Sequence, residues 1–484
     1  MRSFALLGIL AVVGCGASGT AATATPGVPK VQDGAAASQP VVTNQESPEP
    51  EPADRTRQTT WIGASAESEM ILNGTSETFL GVWVDVPNIK PASKPAVDLA
   101  LVIDTSGSMG GAKIENARSA ARQLIQELGD GNIVSIDTFS DRAEALVSPT
   151  VLTSESRERL LSAISKLRPQ GSTNMFEGLS LGEAHVAQAP QSHTVRRVVV
   201  ISDGIANVGP STPEALGLVA ERGLKSRAQV TSLGVGNDYD EHTLNALAIR
   251  SSGRLFHISD PREMTAFLKR EVELLGNTLA SDALVEVVPA AGVRLLGADG
   301  IRADWQPSGA LRIPLGALHA GQHKEALVRV RVDPARFERA AQKPLASVRL
   351  VFHDPSDGDL ERIQETVARL STTNDSALVA KTENARTKAI VAVQDAGKLQ
   401  IQAAQAMNQG QFMDADKELA AAEQKVVAQA QATRDAVQKK RLEGAAAQIG
   451  ATRRAAGAAA AAPKAVQRDE ALKTNKAGMD AYGY

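Results

Sequence analysis

From Val97 to about Leu275 the chain alternates short apolar runs with stretches in which apolar residues recur every three or four positions. Val97-Asp98-Leu99-Ala100-Leu101-Val102-Ile103 reads as a buried strand. Ala112 to Leu128 reads as an amphipathic helix, with Ile114, Ala117, Ala121, Leu124, Ile125 and Leu128 on one face. Further strands are predicted at 133–139, 195–201, 230–235 and 254–258, with a short edge strand at 143–147. Strands separated by helices imply a parallel sheet covered on both faces. The expectation is an α/β, Rossmann-like doubly wound domain over 94–276. Sheets of this kind place ligands outside the carboxyl ends of their strands.

On either side the pattern changes. Residues 61–86 carry strand-like text, best in Thr78 to Val86, and it resumes at 284–288, 293–296, 311–315, 326–332 and 347–352. Gly, Pro and Asp turns space these runs, as in a β-sandwich. One sandwich is expected, built from 59–93 and 277–372, with the α/β domain inserted between its parts. Trp83 and Trp305 are expected in its core. The loop His353 to Asp359 has oxygen donors for calcium but reads more simply as a hairpin tip. Residues 373–450, rich in Ala, Gln, Lys and Glu, predict two long helices broken near Asn408-Gln409-Gly410. Residues 406–415 faintly resemble a tetratricopeptide hairpin, but one hairpin does not make an array. The Ala-Gly-Pro-rich 451–484 segment is expected to be disordered.

Arg2 followed by the apolar run Phe4 to Val13, too short to span a membrane, reads as a secretory signal. It ends Val12-Val13-Gly14-Cys15, which resembles the bacterial lipobox. That resemblance implies a lipoprotein signal peptide over 1–15 and lipid attached to Cys15; an ordinary signal with an incidental cysteine is the alternative. Cys15 is the only cysteine among 484 residues, which favours a dedicated role. It also removes any internal disulfide or cysteine-based zinc site. Acyl chains anchor at ~0.8 kcal/mol per buried methylene. Gly16, being non-acidic, looks like an outer-membrane signal. Residues 16–58, with Ser47-Pro48-Glu49-Pro50-Glu51-Pro52, offer little apolar area and read as a disordered tether. The 52 basic and 55 acidic side chains form no basic run, so nucleic acid is not an expected partner.

The candidate chemistry lies at predicted strand ends. Asp104-Thr105-Ser106-Gly107-Ser108-Met109 follows the first strand, Gly171-Ser172-Thr173-Asn174 lies in a later loop, and Ser202-Asp203-Gly204 closes the β-branched strand. Carboxylates and hydroxyls suit magnesium, a hard ion that takes about six oxygens in an octahedron. Helix capping would explain one such loop, and Ser108 is expected to begin a helix in that way. The three loops together closely resemble von Willebrand factor type A (VWA) domains. The metal-ion-dependent adhesion site of that family runs Asp-x-Ser-x-Ser, then Thr, then Asp. Leu233-Gly234-Val235-Gly236 and Ser252-Gly253-Arg254-Leu255-Phe256 add to the likeness.

The resemblance implies that Asp104, Ser106, Ser108, Thr173 and Asp203 hold one Mg2+ (or Mn2+), the two carboxylates acting more often through water. It also implies a protein partner whose carboxylate fills the open corner. The expected function is metal-dependent protein binding, in adhesion or complex assembly, by a lipid-anchored protein of the cell envelope. An envelope scaffold with an unused site, or a metallohydrolase, are the alternatives. No base or nucleophile stands out beside the five; Asp238, Asp240 and Glu241 read as a turn and a helix cap. An enzyme is therefore not expected.

Overall fold

The structure, a computed structural model, describes residues 60–337 and 342–483; Cys15, the signal peptide expected over 1–15 and the tether expected over 16–58 lie outside them. The chain opens with β1 (Ile62–Ala66), β2 (Met70–Leu72) and β3 (Glu77–Asp85). An α/β domain follows: β4 (Val97–Asp104), α1 (Ala112–Glu127), β5 (Ile133–Phe139), β6 (Ala143–Val151), α2 (Ser154–Ile164) and α3 (Met175–Ala187). It continues through β7 (Val195–Ser202), α4 (Pro213–Gly223), β8 (Ala228–Val235), α5 (Glu241–Ser251), β9 (Arg254–Ile258) and α6 (Met264–Gly276).

The sheet order is β6-β5-β4-β7-β8-β9, all parallel except the edge strand β6. β4 is buried at all 8 positions because both faces of the sheet are covered. Leu99, Leu101 and Ile103 face α1, α2 and α6, whereas Ala100 and Val102 face α3, α4 and α5. The chain runs from β4 to β5 on one side and returns to β7 on the other. The carboxyl ends of β4 and β7 therefore flank the crevice where such a sheet reverses its order.

The remaining strands are β10 (Thr278–Pro289), β11 (Val293–Ala298), β12 (Asp304–Trp305), β13 (Leu311–His319), β14 (His323–Val332), β15 (Lys343–Asp354) and β16 (Leu360–Thr373). They form two sheets with the opening strands, β1-β3-β14-β11 and β12-β13-β10-β15-β16-β2. β3 pairs with β14 from Glu77↔Arg331 to Asp85↔His323, so strands from before and after the α/β domain share a sheet. One apolar core lies between the sheets, with Leu80, Val285, Val328 and Leu350 in it.

The core tryptophan is Trp61, stacked on Phe352 at 4.8 Å between centroids. Trp83 is only half-buried, under the Arg386 guanidinium. Trp305 does not fill the core: it is 52% exposed, on β12, a two-residue strand at the edge of its sheet. The 353–359 loop is the tip between β15 and β16, and Arg362 and Arg227 hold its Asp357 and Asp359.

Five helices close the chain: α7 (Ser376–Lys381), α8 (Ala385–Asn408), α9 (Phe412–Ala432), α10 (Ala436–Ala459) and α11 (Lys464–Asp480). Two expectations are corrected here. The two-helix hairpin over 373–450 is part of a larger bundle, and the described part of the tail, 451–483, is largely helical rather than disordered. Its small residues permit close packing: a Cβ on Gly478 would lie 2.7 Å from the Gly397 oxygen of α8. Leu472, Met479 and Tyr482 then bury themselves in the core that faces α5 and β9. A composition that reads as low complexity is here a tightly packed helix face.

Candidate metal centre

β4 ends at Asp104, and a 3-10 turn, Gly107–Met109, follows before α1. Gly111 is the N-cap of α1, at φ +71, with no side-chain cap. That conformation favours glycine. Ser108 therefore does not cap α1 as expected, because the turn and Gly110 stand between them. Its hydroxyl instead donates to Asp203 Oδ1 at 2.8 Å and lies 3.0 Å from Ser106 Oγ.

Asp104 is held from two sides. Its Oδ1 accepts the Ser106 amide at 2.8 Å, and its Oδ2 accepts the Ser202 hydroxyl at 2.6 Å. Ser202 and Asp203 come from the end of β7, so the first and third loops are tied directly. The second loop is laced to the first by Gln170 N to Thr105 O (2.6 Å) and Gly107 N to Gly171 O (3.1 Å). Asn207 fixes Thr173: its side-chain Oδ1 accepts the Thr173 main-chain N–H at 2.9 Å, and its main-chain N–H donates to the Thr173 carbonyl at 3.0 Å. With the Thr173 main chain so occupied, its hydroxyl faces the other loops. A Cβ at Gly204 would stand 3.5 Å from both Ser108 Oγ and Thr173 Oγ1, so these hydroxyls converge on one spot.

All five expected residues are thus brought together. Asp104, Ser106, Thr173 and Asp203 are buried, and Ser108 is exposed at the mouth. Burial pushes the Asp104 carboxyl up to about 6, against the hydrogen bonds from Ser106 and Ser202; the Asp203 charge adds to the rise. Two carboxylates close together in a buried crevice gain from a cation. The donors are all oxygens, three of them neutral hydroxyls, which fits a hard divalent ion. Among the described residues no group of three or more His, Cys, Asp or Glu side chains gathers, at this site or at any other.

Three residues hold the site in ways that the sequence did not assign to them: Ser202, Lys113 and Asn207. Ser202 had a visible signal, as the residue before Asp203 at a strand end. Lys113 had one too, in the first turn of the helix after the Asp-x-Ser-x-Ser loop; its ammonium pairs with Asp203 Oδ2 and lies 3.8 Å from Asp238. Asn207 had none. Asp240 caps α5 by accepting the His242 amide at 3.0 Å, and Glu241 pairs with Arg468.

The family model of the von Willebrand factor type A domain matches residues 98–270. The chain carries a VWA domain. An uncharacterized protein of Synechocystis, sll0103, is 25% identical over 279 residues, covering 56% of this chain and 64% of its own. Inter-alpha-trypsin inhibitor heavy chain H3 of Mesocricetus auratus is 28% identical over 207 residues, 40% of this chain and 23% of its own. The chain thus spans less than two thirds of these relatives. Among solved structures, a von Willebrand factor type A protein from Catenulispora acidiphila superposes with a TM-score of 0.67 at 18% identity, covering 80% of this chain and 88% of its own; this likeness shows the fold. VWA domains commonly mediate protein–protein interaction or adhesion, often bind Mg2+ or Mn2+, and are generally non-enzymatic.

Proposed function

We propose that this VWA domain holds one magnesium or manganese ion through Asp104, Ser106, Ser108, Thr173 and Asp203, and uses it to bind a carboxylate of a partner protein. The supporting observation is the convergence of three loops beside Gly204, where the Ser108 and Thr173 hydroxyls meet and Ser106, Ser108, Asp104 and Asp203 are tied by direct hydrogen bonds or through Ser202. Neutral hydroxyls leave an ion electron-poor, so an incoming carboxylate gains a strong charge-assisted bond. The protein acts from the cell envelope, anchored through lipid on Cys15, at the outer membrane; the support for this part is the Val12 to Cys15 sequence alone. A scaffold with an idle site is the competing reading, and it predicts partner capture that ignores the metal.

Calorimetric titration with Mg2+ and Mn2+, beside pull-down from envelope extracts in magnesium or chelator, separates the two. The wild type is expected to bind one ion and to gain melting temperature from it, since the ion binds only the folded state. Asp104→Ala and Asp203→Ala should lose about 10–100-fold in metal affinity, with the metal-free fold intact. They should also lose the partner. A wild type that binds no divalent ion overturns the proposal, as does equal capture by Asp104→Ala.

A further inference from the structure

We infer that Lys113 is a built-in competitor of the metal ion, an ammonium that pairs with Asp203 and passes to Asp238 when the ion enters. The inference rests on the metal-site reading above. Asp203 is buried, and both its oxygens are engaged: Oδ1 by the Ser108 hydroxyl, Oδ2 by the Lys113 ammonium. The ammonium therefore compensates a carboxylate that the crevice would otherwise hold buried beside Asp104.

A divalent ion brought to the same carboxylate repels that ammonium, and the repulsion grows where water is excluded. Lys113 has somewhere to go. Its Nζ lies 3.8 Å from Asp238, whose side chain is 82% exposed on the loop after β8. Its stem runs along the same loop, with Cε 3.5 Å from where a Gly236 Cβ would be. A short swing of the terminal methylenes moves the charge from one carboxylate to the other. Any effect of Lys113 on the ion must be returned by the ion on Lys113, because the coupling is reciprocal.

The test is calorimetric Kd for Mg2+ and Mn2+, on the full chain, in the wild type, Lys113→Met, Lys113→Arg, Asp238→Asn and the Lys113→Met/Asp238→Asn double variant. Lys113→Met should bind the ion about tenfold more tightly, within the usual range of coupling. Its metal-free melting temperature should fall, because Asp203 loses its counter-charge. Lys113→Arg keeps the charge and should keep the wild-type affinity. Asp238→Asn should weaken binding in the Lys113 background and do nothing in the Lys113→Met background. If the wild type binds metal and Lys113→Met binds it no better, Lys113 is no competitor, while the metal site itself stands. An equal effect of Asp238→Asn in both backgrounds overturns the transfer. If no variant binds a divalent ion, the metal-site reading falls, and the competition with it.

Discussion

At the scale of single residues, the chain keeps charge in two kinds of buried setting. In the crevice, Asp104 has hydrogen bonds from Ser106 and Ser202 to hold its carboxylate. Glu183 on α3 has none: both its oxygens are buried without a hydrogen bond, packed tightly against Gly223 of α4. Burial pushes this carboxyl from 4.5 up to about 8, with only the charge of Arg222 opposing. A carboxyl whose folded pKa is raised contributes most below its unfolded pKa, and that contribution is lost as pH rises through the folded one. Stability should therefore decline between about pH 4.5 and 8 on account of Glu183. Glu183→Met, similar in length and uncharged, should unfold at higher urea at pH 8, by roughly 2 kcal/mol or more. The gain should shrink toward pH 5. A variant destabilised equally at both pH values would show that Glu183 finds a partner in solution.

At the scale of elements, α11 is the piece that the α/β domain takes from far along the chain. Arg468 reaches the β8–α5 loop, donating to the carbonyls of Asn237 (3.3 Å) and Tyr239 (3.0 Å) and to Glu241 Oε1 (3.0 Å). Burial, the largest single influence, would raise the Glu241 carboxyl; the Arg468 hydrogen bonds and charge, with a backbone hydrogen bond and the nearby His242, together outweigh it, and the carboxyl lies below its ordinary value. Removing one partner of such a pair strands the other in a poor solvent. Arg468→Ala should cost about 2–4 kcal/mol in urea unfolding. A loss within the ±0.5 kcal/mol usual for surface changes would mean that α11 is not docked in solution. The same loop carries Asp238, so α11 braces the backbone that the Lys113 competition depends on.

At the scale of the whole molecule, the chain enters the α/β domain through β4 and leaves it through α6, which passes into β10 with only Asn277 between. Both crossings are at the amino end of β4. The candidate metal centre is at its carboxyl end, roughly 25 Å away at the rise of a strand. The candidate centre therefore lies at the opposite end of β4 from both crossings. The proposed anchor adds its own expectation: wild-type protein should be recovered with membranes and take up labelled fatty acid, and Cys15→Ser should do neither. Equal labelling of both, or a mature chain that begins elsewhere, would remove the anchor from the picture.

Periodicity and local chemistry made the α/β domain legible in the sequence, because each strand and each site loop is written in a few consecutive residues. Val97 to Ile103 reads as buried whatever lies beside it, and Asp104, Ser106 and Ser108 share one turn. The rest depended on distant residues. β16 is the longest strand among the described residues, at 14, yet helix-forming Leu, Glu, Gln and Arg make up half its text, and pairing along β15, with β2 at its far end, makes it a strand. Residues 464–480 become α11 only where α8 and the α/β domain offer them a surface. Lys113 meets Asp203 across 90 positions, and Arg468 meets Glu241 across 227. Local sequence sets which backbone periods and donor atoms are available; burial and charge pairing, which need the assembled fold, decide which of them act together.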